Sequence, residues 1–209
     1  MNVPEENRKN FDTIVSFLER NDIPFWLDQG TLLGVYRDRA LLPWDRDVDI
    51  SVWPDAFDRL LSRLDEFCAL GYTATVTLEA DTVKFFSRET GLSIEVNRFF
   101  RDGELCTRKG LRPRGNPVLG LVKKAIKALP PRLYLGILKL YNRALRPEHV
   151  KLTVPAEFFA EFTRFEFDGM TVPVPARTER YLAFKYGPDW QTPRRVWDHA
   201  RDDGAVVGE

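Results

Sequence analysis

FWLDQGTLLGVYRDRALLPWDRDVDISV, residues Phe25 to Val52, is the stretch on which the reading of the fold turns. It opens with the apolar run Phe25-Trp26-Leu27, which reads as a buried strand. The chain then turns at Gly30 and enters a short helical segment with Thr31 as its N-cap. A loop through Pro43 and Trp44 delivers three acids at two-residue spacing, Asp45, Asp47 and Asp49. Val48, Ile50 and Val52 alternate with them. That is strand periodicity, so Asp47 and Asp49 project from one face.

Two carboxylates about 5 Å apart repel by about 3 kcal/mol at an effective dielectric near 20. A partly buried strand face carries such a pair only with a compensating cation or a raised pKa. Ligands that are all oxygen suit Mg²⁺ or Mn²⁺ rather than Zn²⁺. Backbone N–H groups at the Gly30-Thr31 turn are placed to hold a phosphate. A phosphate cradle beside a carboxylate-bound metal suggests phosphoryl transfer. The competing reading is an exposed edge strand whose acids are simply solvated.

Gly30-Thr31-Leu32-Leu33-Gly34, then Arg37, then Pro43-Trp44-Asp45-Arg46-Asp47-Val48-Asp49-Ile50 resembles the signature of LicD/fukutin-type transferases, within the nucleotidyltransferase-fold superfamily. The resemblance implies transfer of a phospho-alcohol, such as phosphocholine or ribitol phosphate, from a CDP-activated donor to a glycan hydroxyl. It also implies a third carboxylate on a later strand, and Glu95 in Ile94-Glu95-Val96 stands there where LicD-like proteins commonly have Asp. Without the resemblance, Glu95 reads equally as an acid facing water. Arg37 follows the family's Gly-Thr-Leu-Leu-Gly helix and is expected to contact phosphate, the alternative being a salt bridge to Asp38. Lys84, in Val83-Lys84-Phe85, either faces the anionic donor or snorkels to the surface.

With 209 residues and 44% hydrophobic content, the chain suits one domain over 1–209. Its net charge is zero, which gives no reason to expect nucleic acid. Cys68 and Cys106 form neither a disulfide framework nor a metal-ligand cluster and read as reduced thiols. The polar, acidic start MNVPEENRKNF does not read as a signal peptide, and no apolar run approaches the ~20 residues of a membrane span. The expectation is a soluble, cytoplasmic protein, at most peripheral at a membrane surface.

The zero net charge hides an asymmetry. Lys and Arg number 11 against 18 Asp and Glu in residues 1–100, 12 against 2 in 101–147, and 8 against 11 in 148–209. The stretch 101–147 therefore reads as a basic helical insertion. Arg108, Lys109, Arg112 and Arg114 fall in a loop, and helices follow at 118–129 and 132–146, their apolar stripes opposed by Lys123, Lys124, Lys127, Lys139 and Arg143. The basic faces are either solvated, or contact an anionic membrane or the lipid-linked glycan acceptor through 118–146.

Around these features the periodicity predicts an α/β (α+β) architecture, a mixed β-sheet flanked by helices. Helices are expected at Glu6–Arg20 and from Pro54 to Cys68, and strands at Tyr72–Leu78, Thr82–Ser87 and Leu92–Phe99. A hairpin over Phe165–Pro175 precedes a helix beginning near Tyr181, and the tail from about 202 is expected to be mobile. Tyr181-Leu182, Tyr186-Gly187, Trp190 and Pro193 are similar to the ending of LicD-like proteins; the aromatics either lock this end onto the core or cover the donor's base.

The expected roles follow. Asp47 and Asp49 bind Mg²⁺ or Mn²⁺, and Glu95 completes the metal site or takes the acceptor's proton. Asp45 orients the loop or a metal-bound water, while Gly30, Thr31, Arg37 and Lys84 serve the donor. Nucleotidyl transfer with pyrophosphate release, and an inactive binding module of the same fold, are the alternatives.

Overall fold

Five strands form the central sheet in the order β1-β2-β5-β4-β3, with β1 at Trp26–Leu27, β2 at Asp47–Val52, β3 at Tyr72–Thr77, β4 at Thr82–Ser87 and β5 at Ser93–Arg98. The pair β2–β5 is parallel and the other neighbours are antiparallel, so the sheet is mixed as expected. The coordinates are a computed structural model and describe residues 3–77, 81–111, 149–194 and 202–205.

Alternation divides this sheet into two unlike faces. Val48, Ile50, Val52, Val83, Phe85, Ile94 and Val96 are fully buried on one of them. Helix α1 (Val3–Arg20) brings Phe11, Ile14, Val15 and Leu18 into the same core, and helix α3 (Pro54–Leu61) adds Phe57 and Leu60. The opposite face carries Asp47, Asp49, Ser51, Glu95, Asn97, Thr82 and Lys84. Parallel register sets Asp49 beside Glu95, and antiparallel register sets Glu95 beside Lys84.

The segment expected as one helix from Pro54 to Cys68 is two, α3 and α4 (Leu64–Cys68). The Ser62 hydroxyl donates back to the Arg59 carbonyl at 2.7 Å where the first piece ends. The break seats Phe67 between Phe17, Tyr72 and Phe85, with ring centroids at 5.0, 4.9 and 4.3 Å.

A second sheet joins β6 (Phe100–Asp102), β7 (Leu105–Leu111) and β8 (His149–Pro155). Arg108 and Lys109, expected in a loop, therefore lie on a strand, in register with Leu152 and Lys151. Their partner strand lies beyond the basic segment, where local reading of 101–114 does not reach. Arg112, Arg114 and the two expected basic helices fall outside the described residues. The hairpin is β9 (Phe162–Phe167) with β10 (Met170–Pro175), followed by helix α5 (Thr178–Tyr186). This C-terminal part packs on the sheet through Trp26, whose ring lies 5.0 Å from each of Trp53, Phe159 and Phe162. Among the described residues no helix is long and apolar enough to cross a membrane.

Of the tail expected to be mobile from about 202, only residues 202–205 are described, and they contact α5 and β8. Lys185 Nζ donates to Asp203 Oδ2 at 2.7 Å, with both side chains at most 4% exposed. Gly204 N–H donates to the Lys185 carbonyl, and Thr153 N–H to that of Ala205. A Cβ on Gly204 would overlap the Phe184 carbonyl, so the close approach needs glycine. Small and acidic residues carry no apolar signal, and here one buried ion pair and backbone hydrogen bonds hold them. Removing one partner of a buried pair strands the other charge, at a cost of about 3–5 kcal/mol. Asp203→Ala is therefore expected to destabilise the protein by about 3 kcal/mol in urea unfolding, and adding Lys185→Met should recover part of that loss.

Candidate active site

The site is built where β2 leaves its loop. Asn7 of α1 donates its carboxamide to the Asp45 carbonyl at 2.8 Å and fixes the approach to the strand. Asp45, Asp47 and Asp49 each offer a carboxylate oxygen within 4.8 Å of the others. Gly30 makes this possible: a Cβ there would overlap the Asp45 carboxylate. Asp45, expected to act at one remove, thus joins Asp47 and Asp49 directly.

Helix α2 (Gln29–Leu33) starts three residues earlier than expected, and its N-cap is Asp28, not Thr31. Thr31 is 3% exposed, and its hydroxyl oxygen accepts the Asp49 N–H at 2.8 Å. Its hydroxyl is thus engaged inside the site, tying helix to strand, where a phosphate contact was expected. Gln29 donates Nε2–H to Asp49 Oδ1 at 3.0 Å. Asp28, almost fully buried, accepts from Gln29 N–H at 2.7 Å, Ser51 Oγ at 2.7 Å and Tyr181 Oη at 2.6 Å.

Asp28, Gln29, Ser51 and Tyr181 were not singled out from the sequence as site residues. The available signal was Asp28 itself, an acid closing the apolar run Phe25–Leu27. A carboxylate there has to find donors, and these come from three separate elements.

Lys84 pairs with Glu95 across the β4–β5 register, so its ammonium is held by a carboxylate rather than standing clear for a donor phosphate. Glu95 also acts on Asp47, lowering that carboxyl while its own is raised by it. Arg37, expected to contact phosphate, makes the alternative salt bridge to Asp38, bidentate at 2.7 and 2.7 Å, and its third nitrogen donates to the Trp190 carbonyl at 3.2 Å. Its side chain also lines a cleft of about 190 Å³ that shares Gly30 and Asp45 with the acidic cluster and is walled by Trp44, Trp190 and Arg194. Trp190 is nine-tenths buried, which fits the packing role expected of it, while Trp44 is 37% exposed.

The electrostatics are those of crowded acids. Burial, then the hydrogen bond and charge of Asp45, push the Asp47 carboxyl up to about 7, partly opposed by Glu95 and Lys84. Burial, then Asp47, Glu95, Asp45 and Asp28, drive Asp49 well above the carboxylate range. Burial also raises Glu95, against the pull of Lys84. Asp45, Asp47 and Asp49, an oxygen-only and partly buried set, fit a hard divalent cation, which would relieve the upward shifts of Asp47 and Asp49.

The sign of the pH dependence follows from Asp47. Its folded value lies above the unfolded value of about 4, so its contribution to stability is fully present below pH ~4 and is lost as pH rises through about 7. Thermal unfolding of the cation-free protein should show a midpoint that falls between pH 5 and 8, and Asp47→Asn should flatten that fall. Mn²⁺ should raise the midpoint more at pH 8 than at pH 5.

Residues 22–113, which hold the acidic strand, the Gly30–Gly34 turn and Glu95, match the family model described as LicD/FKTN/FKRP, nucleotidyltransferase domain. Ribitol-5-phosphate transferase FKTN of Homo sapiens is 23% identical over 186 residues, 88% of this chain and 33% of that protein. An uncharacterised protein of Rickettsia prowazekii is 38% identical over 58 residues, 28% of this chain and 22% of its own. Ribitol 5-phosphate transferase FKRP of Homo sapiens is 40% identical over 40 residues, 19% of this chain and 8% of that protein. The chain spans a third or less of the length of these relatives. The likeness to LicD/FKTN/FKRP nucleotidyltransferase domains is thus carried by residues 22–113, the part of the chain that holds the acidic strand.

Proposed function

We propose that this protein transfers a phospho-alcohol from a CDP-activated donor to a glycan hydroxyl, with Mg²⁺ or Mn²⁺ held by Asp45, Asp47 and Asp49. The observation that carries the reading is the convergence of those three carboxylates within 4.8 Å on one partly buried strand end. The likeness to FKTN and FKRP, which are ribitol phosphate transferases by name, supports the phospho-alcohol class. An inactive binding module has no reason to keep buried acids that repel one another.

The bound cation supplies charge neutralisation for the diphosphate and the departing CMP. The remaining work falls to the chain. Gly30 lacks a side chain where the Asp45 carboxylate sits, so that carboxylate can stand at the cleft beside Asp47 and Asp49. Arg37, already oriented by Asp38 and the Trp190 carbonyl, has further N–H groups to offer a phosphate oxygen. Glu95, beside Asp47 and paired with Lys84, takes the proton of the attacking sugar hydroxyl.

The test is CMP release from a panel of CDP-alcohols, with and without Mg²⁺. Asp47→Asn and Asp49→Asn should each reduce turnover to background while the cation-free protein stays folded, because each change removes a repelling charge. Mn²⁺ affinity unchanged in both variants would overturn the metal assignment. Glu95→Gln should lower kcat by about 10²-fold or more with donor KM largely kept. A wild-type rate in that variant would remove Glu95 from the chemistry.

A further inference from the structure

Asp49 is the innermost of the three acids, 7% exposed, and it is held at two points. Its backbone N–H donates to the Thr31 hydroxyl, and its Oδ1 accepts from the Gln29 carboxamide at 3.0 Å. Gln29 is itself 8% exposed and adopts φ 49°, a left-handed backbone rarely taken by a residue with so long a side chain. Such a conformation persists only where its surroundings impose it. Here they do: the Gln29 N–H is taken by Asp28 Oδ1, and Asp28 is fixed by the hydroxyls of Ser51 on β2 and Tyr181 on α5.

Three carboxylates this close push one another apart, and an untied one would swing away from the others. A lysine or arginine would tie Asp49 but would also cancel the charge that attracts a cation. A carboxamide supplies a directed N–H with no net charge. It engages one carboxylate oxygen and leaves the other for a ligand.

We infer that Gln29 is the positioning residue for Asp49, held in its left-handed conformation by the Tyr181–Asp28 hydrogen bond; the inference rests on the cation reading proposed above. It gives the C-terminal helix a part in the metal site, since Tyr181 lies outside residues 22–113 and reaches Asp49 through three successive hydrogen bonds.

The test is Mn²⁺ titration of the full chain followed by electron paramagnetic resonance, with the thermal midpoint of the cation-free protein measured in parallel. Gln29→Met keeps the length and loses the donor, and should weaken Mn²⁺ binding about tenfold. Gln29→Asn suits the left-handed backbone but is one methylene too short to reach Oδ1. It should also weaken binding, with the midpoint kept or raised. A purely structural Gln29 predicts instead that Gln29→Asn binds Mn²⁺ as the wild type does, and that result in a folded variant overturns the inference. Tyr181→Phe should shift affinity in the same direction, and unchanged affinity there overturns the Tyr181 half of it. Failure of the underlying reading looks different. A wild type that binds no Mn²⁺ overturns both, whereas loss in Asp49→Asn with retention in both Gln29 variants overturns only the positioning role.

Discussion

Like charge confined to one strand end is the constraint on which the rest of this structure depends. Asp45, Asp47 and Asp49 sit within 4.8 Å of one another in a partly buried setting that raises the carboxyls of Asp47 and Asp49, and many polar contacts of the chain hold them there. Asn7 of α1 holds the loop, Thr31 and Gln29 of α2 hold Asp49, and the missing side chain of Gly30 admits Asp45. The apolar face of the same sheet makes this affordable. Val48, Ile50 and Val52, buried between the acids and beyond them, anchor the strand in the core whatever its polar face does.

Much of this was legible in the sequence. The alternation Asp47-Val48-Asp49-Ile50 fixes strand, face and acid pairing at once, because a period of two admits no other arrangement. The strands near 72–77, 82–87 and 93–98 and the first helix follow from similar local periodicity. What was not legible depends on partners distant in the chain. Arg108 and Lys109 become strand residues only because β8 returns beside them, about forty residues later. Asp28 displaces Thr31 as the helix cap because Ser51 and Tyr181 supply donors that neighbouring sequence does not show. The same holds for Asp203, whose partner Lys185 sits 18 residues upstream on α5.

The C-terminal third is bound to the site by chemistry as well as by packing. Trp26, adjacent to the acidic strand, meets Phe159 and Phe162, while Trp190 gives its carbonyl to Arg37 and lines the cleft. Tyr181, completely buried, has its hydroxyl raised well above its ordinary value, first by burial and then by Asp28. It therefore remains a protonated donor to that carboxylate. A truncated chain ending after β7 would lose the Asp28–Tyr181 contact and the cleft wall together, although the acidic strand itself would be intact.

The arrangement of positive charge completes the picture. Around the cluster, three described cations have a carboxylate of their own: Arg37 is clamped by Asp38, Arg194 by Asp189 and Lys84 by Glu95. Asp28 and Asp49, in turn, are oriented by a hydroxyl, an amide or a carboxamide, none of which carries charge. The protein thus fixes these acids without neutralising them. Under the function proposed above, such a site would keep a negative potential that a +2 ion would satisfy better than a lysine ammonium, since the ion could be shared with phosphate oxygens while a salt bridge is closed upon itself. Orientation by dipoles and attraction by net charge are separate tasks here, and they are carried out by different residues.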